Sequence, residues 1–366
     1  MNALTSASTL AHSPVRQQGL TLIELMVAMA IGLLVMGTMV KVYVDSSRLY
    51  NFNDEFSQMQ ANGRFALEFL RRDARLAGFW GCNQDIDMVN QIKKSHYNRR
   101  SYTNVADANP HSTGKGVAIG GTDDNALTAW PQQITTLNVS DTITFRGATG
   151  QTFDLSADIP AANLSADVIL TSATHGIDPG ETALISNCQN GDIFEVTGTT
   201  GAALEHKATQ NDSAALSKEY KESESAVYLV NEIEYCIGTG TDGVTPTLRR
   251  LSYPNQAAGL TCANDGVDLI EGAENMQILF GLDLDAAEDG VADVYLEADH
   301  TAMDMDKVVS IRISLLLRSV SNGVTDEPQP FTYMGTTTTP PATDRFLRRV
   351  FNATITLRNG ALVSSS

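Results

Sequence analysis

The sequence predicts an α+β fold: one long N-terminal helix, with a membrane half followed by an amphipathic half, packed on an antiparallel β-rich globular head. Three observations predict it. A nearly charge-free run extends from Gly19 to Val40. No proline interrupts Leu20 to Ala77, and apolar residues keep recurring at helical spacing beyond the run. From Gly78 onward the texture changes to short β-type runs separated by Gly, Asn, Asp and Ser, without the long intervening helices of a βαβ fold.

The N-terminal run sets the compartment. Between Leu25 and Val40 there is no charged side chain, and from Leu20 the segment approaches the roughly 20 residues that a helix needs to cross a hydrocarbon core. Upstream, Met1 to Gly19 is polar and free of acids, with Arg16 as its one fixed positive side chain, so it is expected to stay cytoplasmic. An ordinary signal peptide carries its apolar region before the cleavage site. Here Gln18-Gly19 precedes the apolar region, so a cut after Gly19 removes the leader and leaves the hydrophobic segment on the mature chain. Glu24 interrupts the run, and a carboxylate kept in lipid at a free-energy cost implies a function and a partner.

This order resembles a type IV prepilin signal, with Gly19 before the cut, Leu20 as the new N-terminal residue and Glu24 as the fifth residue of the mature chain. The resemblance implies a prepilin peptidase that cleaves after Gly19 and methylates the amine of Leu20. It also implies pairing of Glu24 with the N-terminal amine of a neighbouring subunit, so that neither charge sits alone in lipid. Family proteins more often begin with Phe where this chain has Leu20. A plain signal anchor with an accidental Glu is the competing reading, and it requires Gly19, Thr21, Glu24 and the charge-free run to coincide by chance.

Beyond Val40 the helix continues. Phe52, Phe56, Met59, Gly63, Ala66 and Leu70 recur at steps of three or four, while Asp54, Glu55, Arg64, Glu68, Arg71 and Arg72 fall mostly elsewhere. That pattern describes one buried stripe, read as core rather than as a cofactor site. A single helix over Leu20 to Ala77 would be roughly 80 Å long at the standard rise. Gly32, Gly37 and Gly63 are its expected soft or close-packing points.

In the head, strands are expected at Thr142–Arg146, Val168–Thr171, Ala183–Ser186, Ile193–Val196, Ala226–Ile237, Thr247–Tyr253, Met276–Leu282, Val308–Arg318 and Arg349–Arg358. The polar stretch Gly198–Ser225 reads as an excursion containing a short helix, and Thr336–Thr343 as an extended loop. The resulting division is a cleaved leader over 1–19, the long helix over 20–77 with 20–40 transmembrane, and a β-rich periplasmic or extracellular head over 78–366.

Several phrases of the head carry a second resemblance. A-G-F-W-G-C at Ala77–Cys82, Y-L-V-N-E-I-E-Y at Tyr228–Tyr235, L-I-E-G-A-E-N-M-Q-I-L-F-G-L-D at Leu269–Asp283 and V-V-S-I-R-I-S-L-L-L-R-S at Val308–Ser319 are similar to PilW-like minor pilins of type IV pili. The resemblance implies a non-enzymatic subunit of the inner membrane that joins other minor pilins and the major pilin, primes assembly or caps the fibre, and ends on the cell surface. GspJ-like minor pseudopilins of type II secretion share the long helix and β-rich head; the extra length and the polar excursions at 83–135 and 198–225 favour the pilin. A membrane-anchored periplasmic enzyme is the alternative of a different class.

Charge and residue chemistry narrow the function further. The formal net charge is −18, and the first 75 residues hold six acids and seven bases, leaving 37 acids against 18 bases downstream. A head this acidic lacks the basic face that phosphate binding needs, so nucleic acid is not an expected partner. Four cysteines, Cys82, Cys188, Cys236 and Cys262, all follow the apolar run, where export would allow disulfides to persist. Of the three pairings, Cys82–Cys188 with Cys236–Cys262 is preferred, because the second closes a local loop between adjacent β runs; buried free thiols are the alternative. The sequence contains no G-x-S-x-G or H-E-x-x-H, and Gly114-Lys115-Gly116 lacks the rest of a phosphate loop, so no catalytic residues are assigned. His96, His111, His175, His206 and His300 have no recurring partner spacing and read as surface residues.

The acidic cluster Asp283, Asp285, Glu288, Asp289 and Asp293 is dense enough in oxygen to suit Ca²⁺. With Asp285 at the first position of an EF-hand loop, Asp289, Gly290 and Asp293 fall at the fifth, sixth and ninth. Ala287 then occupies the third and Leu296 the twelfth, where an acid belongs. The match is poor. A solvated turn about Asp289-Gly290 is the expectation, with no cofactor, and Asp285, Asp289 and Asp293 are the calcium candidates set against it.

Overall fold

The computed structural model describes residues 21–81, 87–90, 113–115, 119–122, 140–252, 260–285, 289–304 and 307–359. Helix α1 runs without a break over Leu22–Leu76, 55 residues. It stops where Gly78 adopts a left-handed φ of 77°, the conformation that glycine enters without a Cβ penalty. The Asn359 side chain donates to the Ala77 carbonyl at 3.2 Å, and the Gly78 N–H turns to the Arg146 carbonyl at 2.8 Å. Residues up to Asn53 and residues from Asp54 onward form two compact units. Met59, Ala66, Leu70 and Ala74 of the helix belong to the core of the second unit.

The strands follow in chain order. The first are β1 (Asp87–Asn90), β2 (Thr113–Lys115), β3 (Ile119–Thr122), β4 (Thr142–Asp154), β5 (Val168–Ile169) and β6 (Thr182–Ser186). Then come β7 (Asn190–Glu195), β8 (Gly198–Thr200), β9 (Ala203–Glu205), β10 (Ala226–Thr239) and β11 (Pro246–Ser252). A one-turn helix α2 (Cys262–Asp265) leads into β12 (Val267–Glu271), β13 (Ala273–Leu282) and β14 (Val294–Leu296). The last are β15 (Val308–Arg318), β16 (Phe331–Tyr333), β17 (Thr336–Thr338) and β18 (Arg348–Thr356).

A nine-stranded sheet has the order β12-β11-β10-β6-β7-β1-β2, with β4 pairing both β10 and β3. A four-stranded sheet runs β14-β13-β15-β18, and smaller sheets are formed by β5-β9-β8 and β16-β17. Pairing is antiparallel except between β1 and β7. The main core draws on the buried helix stripe and on both larger sheets, including Phe145, Tyr235, Met276, Phe280 and Ile313. Gly63 is a close-packing point, since the Phe351 ring of β18 stands where a Cβ would project; Gly32 and Gly37 have nothing within 4 Å of that position.

Two polar anchors fix the helix and the second sheet. Asp73 on α1, 3% exposed, accepts hydrogen bonds from the Tyr235 hydroxyl at 2.6 Å and from Arg250 Nε at 3.0 Å, and its other oxygen faces Arg72 Nε at 3.2 Å. Glu274 on β13 takes a two-pronged contact from Arg348, at 2.6 and 2.9 Å, with Arg318 at 3.5 Å. Both carboxylates thus have their charge matched in place, as burial of an ion requires.

Every expected strand is present, most with shifts of a few residues at the ends, while β4 runs well past Arg146 to Asp154. Other features differ from expectation. Residues 198–225 contain no helix; they form β8, β9 and a series of turns. Their backbone and hydroxyls are pinned to β7 instead: Asn211 exchanges bonds with the Glu195 N–H at 2.8 Å and carbonyl at 2.9 Å, and Asp192 accepts from Ser217 Oγ at 2.7 Å and the Tyr220 hydroxyl at 2.6 Å. Thr336–Thr338 is paired with Phe331–Tyr333 rather than forming a loop. The short strands β12 and β14 also lacked a clear sequence signal, β12 because it lies at a sheet edge with one buried residue.

Candidate functional site

The first turn of α1 is a built helix start. The Thr21 N–H and Thr21 Oγ1 both donate to Glu24 Oε2 at 2.9 Å, and the Glu24 N–H returns a bond to Thr21 Oγ1 at 3.3 Å. This reciprocal arrangement is a capping box, which satisfies helix N–H groups that no preceding turn can reach. The T-x-x-E spacing that specifies it is plain in the sequence, where Thr21 and Glu24 stand out for a different reason. Gly19 and Leu20 lie outside the described residues.

From Leu22 to Tyr50 every side chain is exposed, including Leu22, Ile23, Met26, Leu33, Leu34 and Met39. The helix is long and apolar enough to cross a membrane. An apolar surface of this length on all sides of a helix is stable in lipid, not in water.

The cysteine expectation is met where it can be seen. Cys236 and Cys262 form a disulfide that ties β10 to α2, with Cα atoms 6.0 Å apart. Cys188 is disulfide-bonded, and Cys82, its expected partner, lies outside the described residues. Among the histidines, His206 is buried rather than at the surface, its Nε2 bonded to the Ala166 carbonyl at 2.8 Å. His175 is partly buried against the Gly201 carbonyl, and His300 is exposed. His96 and His111 lie outside the described residues.

The acidic turn is a different set from the one expected. Asp283, Asp285 and Asp293 bring one carboxylate oxygen each within 4.8 Å of one another. Asp289 is not among them; its Oδ1 accepts the Val291 N–H at 2.9 Å across a turn in which Gly290 has φ 75°. The Asp-Gly turn is therefore present, but Asp289 is occupied in making it. Asp283 takes its place in the cluster because it directly follows β13, where its N–H is held by the Lys307 carbonyl at 2.9 Å and its side chain is buried. Glu288 lies outside the described residues.

The apolar helix with its capped start, its amphipathic continuation and an antiparallel head define a class when set beside known proteins. Residues 15–40 match the model described as Prokaryotic N-terminal methylation motif. Residues 234–359, spanning the Cys236–Cys262 bridge, the acidic turn and the four-stranded sheet, match the model described as Type IV Pilus-assembly protein W. Together the two matches support a PilW-like type IV pilus minor pilin. Among solved structures, a type IV-like pilin from Thermus thermophilus aligns over 85% of this chain and 97% of its own, at 9% identity and a TM-score of 0.28, too remote to carry structural argument. No curated protein matches the chain.

Proposed function

We propose that the chain enters the inner membrane through α1 with its head in the periplasm, is cleaved after Gly19 by a prepilin peptidase and methylated on the amine of Leu20. It then joins other minor pilins and the major pilin in a complex that primes assembly or caps the fibre. Its role in this reading is structural, not enzymatic. The observation that supports it is the Thr21–Glu24 capping box. Cleavage at Gly19 would create an ammonium one residue before the N-cap, where the Glu24 carboxylate already turns back toward the chain start. The only acid of the apolar run is exposed and so open to the amine of an incoming neighbour. In lipid, a second subunit's ammonium is the partner that would leave neither charge uncompensated.

Mass spectrometry of sheared surface fibres tests the proposal. The expected result is an N-methylated peptide beginning at Leu20 in the pilus fraction, and unprocessed Gly19→Val protein retained in the inner membrane, since a branched side chain should not fit a site shaped for glycine. Normal-sized mature protein from Gly19→Val, or a Leu20 peptide confined to secretion-system fibres, would overturn it.

A further inference from the structure

The loop joining β13 to β14 carries a buried charge that nothing among the described residues compensates. Asp283 is 3% exposed. Its Oδ2 accepts the Gly290 N–H at 2.7 Å, but its Oδ1 is buried without a hydrogen-bond partner. A buried carboxylate oxygen without a donor costs free energy that folding does not ordinarily leave uncompensated. Asp285 and Asp293, both exposed, place their carboxylates on the same spot. Asp73 and Glu274 are as deeply buried and have arginines against them; Asp283 has two more acids.

We propose that Asp283, Asp285 and Asp293 form a calcium site. Calcium binds oxygen at about 2.3–2.6 Å, so two ligands of one ion stand at most about 5 Å apart, and the three carboxylates meet that limit. The unpartnered Asp283 Oδ1 supplies a ligand from inside the head, while Asp285 and Asp293 close the site from the solvent side. Backbone bonds frame it: Asp293 Oδ2 accepts the N–H groups of Leu284 at 2.8 Å and Asp285 at 3.0 Å, and the Asp293 N–H bonds the Leu282 carbonyl at 2.8 Å. Both ends of the loop are thus held to the end of β13 before any ion arrives. Magnesium is usually held by one or two carboxylates and keeps most of its water, whereas three carboxylates on one turn suit the larger, more adaptable coordination of calcium.

The test uses the full-length protein in detergent, stripped with chelator and melted in CaCl₂, in MgCl₂ and in NaCl at matched ionic strength. Calcium at about a hundredfold excess over Kd should raise the midpoint by about 5 °C, with magnesium and sodium giving a small fraction of that rise. Asp283→Asn should abolish the calcium increment, yet melt at or above wild type in chelator, because a neutral amide replaces the uncompensated oxygen. Were Asp283 only a structural acceptor for Gly290, the variant would melt lower by the same amount in both conditions, and that result would overturn the site. Exposed Asp285→Asn gives a second reading where Asp283→Asn fails to fold: it should lose most of the calcium increment, while Asp289→Asn should keep it. Terbium luminescence sensitised by nearby Tyr295 and displaced by calcium reports binding directly. Wild type with no calcium-specific rise, or an increment that survives Asp285→Asn, would sink the proposal.

Discussion

Asp73 and Asp283 are equally buried, at 3% exposure each, and they sit in opposite electrostatic surroundings. Asp73 lies on the helix, with Arg250, Arg72 and the Tyr235 hydroxyl spread around its two oxygens. Asp283 lies at a strand end, with one backbone N–H and two further carboxylates nearby. Burying a carboxylate is expensive in both places, and what differs is the source of the compensating charge. At Asp73 it comes from the chain and is covalently guaranteed. At Asp283 the proposed calcium ion would supply it from solution. The first arrangement makes a permanent lock between α1 and the strands β10 and β11; the second makes stability of the β13–β14 turn depend on what the surrounding fluid contains.

The comparison breaks most visibly at Asp73. Asp73→Ala strands the Arg250 guanidinium and the Tyr235 hydroxyl together, and loss of one partner from a buried pair costs about 3–5 kcal/mol. Because Arg250 is a quarter exposed and water can reach it, the lower end of that range is expected. Unfolding free energies from urea titration should fall by the same amount in calcium and in chelator. A loss that appears in only one of the two would mean that the helix lock and the acidic turn are coupled rather than independent.

A smaller change at the same lock is Tyr235→Phe. Burial and the Asp73 charge push the Tyr235 hydroxyl well above its ordinary range, so it stays a protonated donor at all ordinary pH. Removing a hydrogen bond to a charged group costs about 1.5–3 kcal/mol. The ring still packs on Phe145, with centroids 6.0 Å apart, so the loss should lie near the lower figure. In the Asp73→Ala background the same substitution should cost far less, since its acceptor is already gone; equal costs in both backgrounds would show that the hydroxyl contributes nothing through Asp73.

The long helix was the most legible element, because absence of proline, an uncharged run and a stripe at steps of three or four all point the same way. The strands were legible as β-branched and aromatic runs. What escaped were features decided by tertiary partners. Nothing local says that residues 198–225 should forgo a helix; Asp192 and Asn211 decide it by offering hydrogen bonds from β7 and from a neighbouring turn. Asp283 was visible in the acidic cluster, but its burial depends on the Lys307 carbonyl holding the end of β13, and that contact has no sequence signature. Asp289 makes the expected turn with Gly290, and that turn uses its side chain, which spacing alone leaves as a weak calcium candidate. The Thr21–Glu24 capping box is the converse case, a local motif fully written in the sequence and carried by the same two residues as the prepilin resemblance.

Glu195 sharpens the comparison by showing a third solution. It is 6% exposed at the end of β7, with Oε2 buried and without a hydrogen-bond partner, and no arginine or second acid faces it among the contacts of the described residues. Burial pushes its carboxyl up from an ordinary value near 4.5 to about 7, so this acid is compensated by a proton. The sign of the consequence follows from proton linkage. Below pH 4.5 both folded and unfolded chains hold the proton and pH has no effect through this group. Between 4.5 and 7 the folded chain keeps the proton while the unfolded chain releases it, so stability falls as pH rises, and above 7 the loss is complete. Every tenfold difference in proton affinity between the two states is worth at most about 1.4 kcal/mol, and partial hydration of the group reduces the total to about 1–2 kcal/mol. Glu195→Gln should remove that dependence. The difference in unfolding free energy between wild type and Glu195→Gln, measured at closely spaced pH values across and beyond the window, should drift against wild type within it and then level off. A difference that stays flat throughout would mean that the carboxyl ionises at its ordinary value.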